Sequence, residues 1–313
     1  MTPDLEQRIR GGIWGLLVGD ALGVPYEFHP AEEIPPYNAI EFMPPSGFAR
    51  AHAGTAPGTW SDDGAQALCL LDSLLQCDRL DPEDLMQRLF DWYESGYLAV
   101  GGVVFDVGVQ TGQAFAAFRS GTAAVDCGGA LPEGKGNGSL MRALPLAIWH
   151  QGSDEELVRD AFLQSSVTHG HLRVRLCCAL YCLWARAVLR DAAEPWLQAI
   201  ESIRRIFPAA SPEREEFEAH IRPEAEASCS GGGYVVDSLR SARLVCQQET
   251  YEAVVRQAIR LGNDTDTSAC IAGGVAGLQF GIDAIPAHWR AKLRGQELFA
   301  ELLEKLVDRC CID

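Results

Sequence analysis

The sequence predicts an all-α protein, one compact bundle of a dozen or so helices, on three observations. Apolar residues recur at spacings of three and four in segment after segment, the period of a helix with one buried face. Alternating strand patterns are scarce, and the nearest, "GYVVDSL" (Gly233–Leu239), reads as a helix start. No linker and no repeat of fixed period separates the helical stretches, so the 313 residues are expected to form one domain, 1–313.

Taken in order, the first helix is apolar and ends at "GDALGVPYEF" (Gly19–Phe28), which delivers Glu27 beside aromatic residues. A loop rich in glycine and proline follows, Glu41–Gly58. "GTWSDDGAQALCL" (Gly58–Leu70) then opens a helix whose stripe continues through Leu68, Leu71 and Leu75. Further stripes lie in "EDLMQRLFDWYESGY", "LCCALYCLWARAVLR", "YEAVVRQAIRLG" and "LFAELLEKLVDRC". Between them, "CGGALPEGKGNG" (Cys127–Gly138) is a loop, and the acidic stretch Ser211–Gly233 is expected to carry a short exposed helix of its own. In "LGNDTDTSACIAGGVAGLQFG" (Leu261–Gly281), Ala269, Ala272, Gly273, Gly274, Ala276 and Gly277 make the helix costly, about 1 kcal/mol per glycine relative to alanine. That cost is tolerable where a second helix passes close by, so this helix should be central.

Composition narrows the function. With 26 basic and 43 acidic residues the chain carries a formal charge of −17, which repels a polyphosphate backbone and argues against nucleic-acid binding. Eleven cysteines, two pairs of them adjacent and none in C-x-x-C, suit neither a disulfide framework nor zinc. The opening residues lack a basic n-region, and no apolar run nears the ~18 residues of a membrane span. A cytoplasmic protein with no membrane partner is expected.

Two stretches far apart mirror each other. Ser61, Asp62 and Asp63 precede one helix, and Asp264, Asp266 and Thr267 precede another. Each set falls at the N-cap and first turn, where orphan N–H groups and the helix dipole favour carboxylates. One such residue suffices for capping; two carboxylates per motif exceed that need. Four acids drawn together would force at least one pKa upward unless a cation neutralised them. Oxygen-only donors suit Mg2+ or Mn2+ better than zinc. "EGKGNGSLMR" (Glu133–Arg142) sets Gly136, Asn137 and Gly138 ahead of a helical turn, offering backbone N–H groups to an anion. His169 and His171 form H-x-H without a third ligand, which argues against zinc there.

The ordered set "GDALGVPYEF", "WSDDGAQ", "FDVGVQT", "GNGSLMR", "THGH", "GGYVVDSL" and "GNDTDTSACIAG" resembles the ADP-ribosylglycohydrolase family, from about Ile9 to Pro286. Members include the dinitrogenase reductase-activating glycohydrolase. The resemblance implies an all-helical fold, a single orthogonal multi-helix bundle, with two divalent cations, Mg2+ or Mn2+, in a cleft that binds ADP-ribose and cleaves the bond at the ribose C1″. By position it implies Ser61, Asp62, Asp63, Asp264, Asp266 and Thr267 as metal ligands, Glu27 as the acid that orients or deprotonates water, and Asp106 as an acid facing the distal ribose. It further implies Gly136, Asn137, Gly138, Ser139 and Met141 around the diphosphate and ribose, His169 nearby and Tyr234 beside the adenine. Two departures stand out: Gly64, where a polar residue is common, implies a looser helix start, and "GND" replaces "GGD". The implied partner is an ADP-ribosylated protein side chain, arginine first, or ADP-ribose itself. Two alternatives stay open, a two-metal hydrolase of another ADP-ribose-containing or phosphoester small molecule, and a non-catalytic binding, immunity or structural member.

Overall fold

The computed structural model describes residues 3–225 and 229–311. Among these the chain forms fifteen α-helices and no strand ladder, only the isolated bridges Pro30–Gly262 and Gly136–Tyr234. In order they are α1 (Leu5–Gly23), α2 (Asp62–Cys77), α3 (Pro82–Ser95), α4 (Val109–Arg119), α5 (Ala124–Cys127), α6 (Leu144–Trp149), α7 (Asp154–Ser166) and α8 (Leu172–Leu189). There follow α9 (Pro195–Ile206), α10 (Pro212–Glu216), α11 (Val235–Val245), α12 (Tyr251–Ile259), α13 (Thr265–Phe280), α14 (Ala287–Lys292) and α15 (Gln296–Cys311). Starts are encoded locally: Asp4 and Ser153 each close a capping box, and Asp81 caps α3 ahead of Pro82. "GYVVDSL" does begin a helix, with Tyr234 at the N-cap of α11. The acidic stretch contributes α10 and a π turn, Phe217–Ile221; its residues 226–228 lie outside the described residues.

At the centre α1 and α13 run antiparallel in backbone contact. The small residues of α13 meet glycines at every fourth position of α1, one helix face: Gly11 against Gly277, Gly15 against Gly273, Gly19 against Ala269 and Gly23 against Asp266. A Cβ on Gly277 would lie 1.9 Å from the Gly11 carbonyl oxygen, and one on Gly19 would lie 2.1 Å from that of Ala269. Burial follows: every residue of α13 from Thr265 to Leu278 is buried. One apolar core runs from Ile9 to Val307 around this pair, with α8 buried along most of its length. Because backbone rather than a movable side chain blocks the space, Gly19→Ala is expected to cost at least the ~3 kcal/mol upper end of ordinary overpacking. A urea midpoint within error of the parent's would show that the two helices separate readily.

Candidate active site

The close α1–α13 contact lets α1 serve a third helix. Asp20, fully buried, accepts hydrogen bonds from the backbone N–H of Ser61 (2.9 and 3.1 Å) and of Gly64 (2.7 Å), so an acid of α1 satisfies the start of α2 from outside. Ser61 occupies the N-cap and accepts from the Asp63 N–H at 3.4 Å. The glycine at position 64 is not a loosened helix start. A Cβ there would lie 2.8 Å from Leu17, 2.9 Å from Trp60 and 3.0 Å from the Asp20 carboxylate, so glycine is what admits Asp20.

The second motif is stitched to the end of α1. Thr265 Oγ1 donates to the Gly23 carbonyl (2.8 Å), Phe28 N–H donates to Asn263 (2.7 Å), and Asn263 N–H donates to His29 (2.6 Å). Asn263 is left-handed, φ 59°, a conformation Asn adopts at less cost than most residues, so asparagine is tolerated at this turn. Asp264, the N-cap of α13, makes no capping bond with its side chain; its Oδ2 accepts instead from Asn137 Nδ2 at 2.8 Å. Plain capping does not explain the motif.

The two motifs meet. Thr267 Oγ1 lies 3.3 Å from Asp63 Oδ1, across 204 residues of chain. Carboxylate oxygens of Glu27, Asp264 and Asp266 lie within 4.8 Å of one another, and so do ligand atoms of Glu27, His52 and Asp106. Burial, reinforced by the neighbouring acids, holds Asp62, Asp63 and Asp266 well above the ordinary carboxylate range. Asp264 and Asp106 are raised by burial as well. Burial pushes Asp20 up to about 7 against the pull of its two N–H donors, and Glu27 up to about 7 against His52, whose Nε2 lies 2.6 Å from Glu27 Oε2. Asp63 Oδ2 and Asp266 Oδ2 are buried without a hydrogen-bond partner among the described residues. Crowded, partnerless, oxygen-only donors are what a hard divalent cation requires.

A cavity of about 290 Å³ runs from Glu27, Asp62, Asp63 and Asp106 to Gly136, Asn137, Gly138, Met141 and His169, with Asp264 and Thr267 in its wall. Ser61 and Asp266 are buried and do not line it. Ser139 departs from expectation: its hydroxyl turns into the core against Ser165 Oγ (2.8 Å) and Cys178 Sγ (3.4 Å). The glycine turn also offers fewer free donors than its spacing implies, because Gly136 N–H is taken by Gln110 Oε1 (2.8 Å) and Asn137 N–H by the Gly233 carbonyl (3.1 Å). Tyr234 does not line the cavity; it is 41% exposed, bridged through its backbone to Gly136, and its hydroxyl accepts from Arg173 at 2.9 Å. His171 caps α8 and His169 is buried, so H-x-H forms no joint site. Asp106 is left-handed, φ 56°, in the loop before α4 rather than at its N-cap. Sequence reading missed Asp20, His52, Gln110 and Thr111; only Asp20, an acid within an apolar helix, left a signal. A second cavity of about 430 Å³ beside Trp184, Trp196 and Arg243 gathers no cluster of reactive groups.

Fold and site together define an all-helical protein with a buried, oxygen-lined acidic cleft able to hold a metal ion. The family model for ADP-ribosylglycohydrolase matches residues 1–312, and the chain belongs to that family, hydrolases acting on glycosyl bonds. It is 30% identical to the ADP-ribosylarginine hydrolase Tri1 of Pseudomonas putida (strain GB-1), over 99% of this chain and 80% of that protein. It is 28% identical to the ADP-ribosyl-[dinitrogen reductase] glycohydrolase of Rhodospirillum rubrum, over 93% of this chain and 92% of that protein. Among solved structures, one described as an ADP-ribosylglycohydrolase-related protein complex superposes with a TM-score of 0.76 at 30% identity, covering 98% of this chain and 99% of its own.

Proposed function

We propose that this chain, acting as one domain, hydrolyses the glycosidic bond between ADP-ribose and a modified protein side chain, arginine first, with two divalent cations, Mg2+ or Mn2+. The observation that carries it is the meeting of Asp63 with Thr267 beside the partnerless oxygens of Asp63 and Asp266, at one end of a glycine-lined cavity. Ser61, Asp62, Asp63, Asp264, Asp266 and Thr267 are the residues to hold the cations. When bound, divalent cations supply Lewis-acid polarisation and acidify water. An arginine-linked substrate is supported by likeness to an ADP-ribosylarginine hydrolase. A reducing cytoplasm is in keeping with the free cysteines, and no helix among the described residues is long and apolar enough to cross a membrane.

In this reading water adds to C1″ as the bond from C1″ to the side-chain nitrogen breaks, giving ADP-ribose and free arginine. Glu27, whose carboxyl lines the cavity beside Asp62, Asp63 and Asp264, handles the proton. His52 holds that carboxyl in place. Asp106, within reach of both, faces the substrate sugar. The deciding experiment is incubation with arginine-, serine- and threonine-linked ADP-ribosyl proteins, with Mg2+ or Mn2+ and with chelator. Intact ADP-ribose plus free arginine supports the reading; AMP or inorganic phosphate points to a phosphoester hydrolase, and no product to a binding protein. Glu27→Gln is expected to spare folding and Mn2+ binding while lowering kcat by 10²–10⁴-fold, the ordinary worth of a general acid or base. Undiminished turnover would remove Glu27 from the reaction.

A further inference from the structure

Arg142 is a wholly buried arginine bonded to no carboxylate among the described residues. Its guanidinium donates through Nη1 to Gln66 Oε1 (2.9 Å), through Nε to Gln164 Oε1 (3.1 Å), and through Nη2 to the Gln164 carbonyl (2.7 Å) and Thr168 Oγ1 (2.8 Å). Arginine has donors only, so it dictates the direction of every bond in the network. Gln66 and Gln164 must turn their carbonyls toward it, which sends Gln66 Nε2 to Asp62 Oδ2 (3.1 Å) and Gln164 Nε2 to the Ser139 carbonyl behind the glycine turn (3.1 Å). Thr168 Oγ1 likewise receives a hydrogen bond, and the described residues offer its own hydrogen one acceptor, His169 Nδ1 at 2.8 Å.

The tautomer of His169 follows. A neutral ring whose Nδ1 accepts carries its proton on Nε2. Burial, with Arg142 adding to it, keeps this imidazole neutral down to about pH 3. Nε2 has no hydrogen-bond partner among the described residues and lies on the cavity wall; a Cβ on Gly138 would come within 3.2 Å of it. A neutral donor thus faces the place where the glycine turn approaches an anion.

We propose that Arg142 and Thr168 are positioning residues that lock His169 as an Nε2–H donor to the anionic part of the ligand. The identity of that ligand rests on the ADP-ribosyl reading; the tautomer does not. Two measurements test the proposal. Nitrogen-15 spectra of the ligand-free protein, assigned by loss of the His169 signals in His169→Gln, are expected to show Nδ1 unprotonated and Nε2 protonated. In Thr168→Val, which keeps the shape and removes the hydroxyl, that preference is lost. Calorimetric affinity for ADP-ribose is expected to fall about tenfold or more in Thr168→Val.

His169→Gln places an amide donor near the Nε2 position whatever residue 168 does, so it should bind ADP-ribose within about threefold of the parent, whereas His169→Asn should not. In the Gln background Thr168→Val should change affinity by less than about twofold, since the two sites act through one interaction. An Nδ1–H ring in the parent, or an equal loss from Thr168→Val in both backgrounds, overturns the proposal. Should Thr168→Val fail to fold, Thr168→Ala takes its place in the same spectra and titrations, and an Nδ1–H ring in the parent overturns the proposal by itself. Failure of the parent to bind ADP-ribose would count against the ADP-ribosyl reading, with the tautomer still testing the lock.

Discussion

Asp266→Asn is expected to raise the melting temperature of the chelator-treated protein and to erase its upward shift with Mn2+. Asp266 is fully buried, and burial followed by the charges of Glu27 and Asp63 holds its carboxyl far above the normal range. One of its oxygens has no hydrogen-bond partner among the described residues. Folding without a cation therefore works against this group, and a neutral amide of the same shape relieves the strain. With a cation the balance reverses. At about a hundred times its dissociation constant the parent gains about 2.7 kcal/mol from the ion, and a variant that cannot bind gains nothing. A parent-sized Mn2+ shift in Asp266→Asn would take Asp266 out of the ligand set and, with it, the idea that the two helix starts share an ion.

In chelator, stability should fall as pH rises from 5 to 8, and saturating Mn2+ should flatten the profile. Burial holds Asp20 and Glu27 at about 7 when folded, against ordinary values of 3.8 and 4.5. For an acid raised in this way the folded state keeps its proton after the unfolded chain has released its own. The stabilisation is thus complete below about pH 4 and is lost on the way up to 7, at about 1.4 kcal/mol per pH unit for each group. Asp62, Asp63 and Asp266, raised well above the ordinary carboxylate range by burial, act in the same direction. His169, held neutral, opposes one of these groups below pH 6.5 and is silent above. Asp154, Asp160 and Glu218 are lowered, and the stability they bring is lost only on acidification below the range scanned. Thermal melts in EDTA and in Mn2+ at each pH are the measurement. A chelator profile that is level or rises with pH would mean that the acids do not form one buried cluster.

Both results turn on groups of which some were legible in the chain and some were not. The doubled acids at 62–63 and 264–266 announced themselves because capping is local: a carboxylate at a helix start answers N–H groups two or three residues away, and the surplus over that need is countable. The burial of α13 was legible for a similar reason, as a run of small residues makes a poor helix unless another backbone lies against it. Asp20 left only the signal of an acid within an apolar helix, and its role was hidden, since its partners are 41 and 44 residues distant. So was the inward turn of Ser139, decided by Ser165 and Cys178 on other helices.

Helix starts, periods and the excess of oxygen donors were thus determined by the sequence alone, because each depends on neighbours within one turn of chain. Which starts face each other was decided only in three dimensions. Glycines on α1 and α13 allow a backbone approach that no side chain would permit, and that approach carries Asp20 to the start of α2 and Thr267 to Asp63. Bonds that span forty to two hundred residues exist only once the packing has been chosen, and the Arg142 network and the cleft it supports belong to that level.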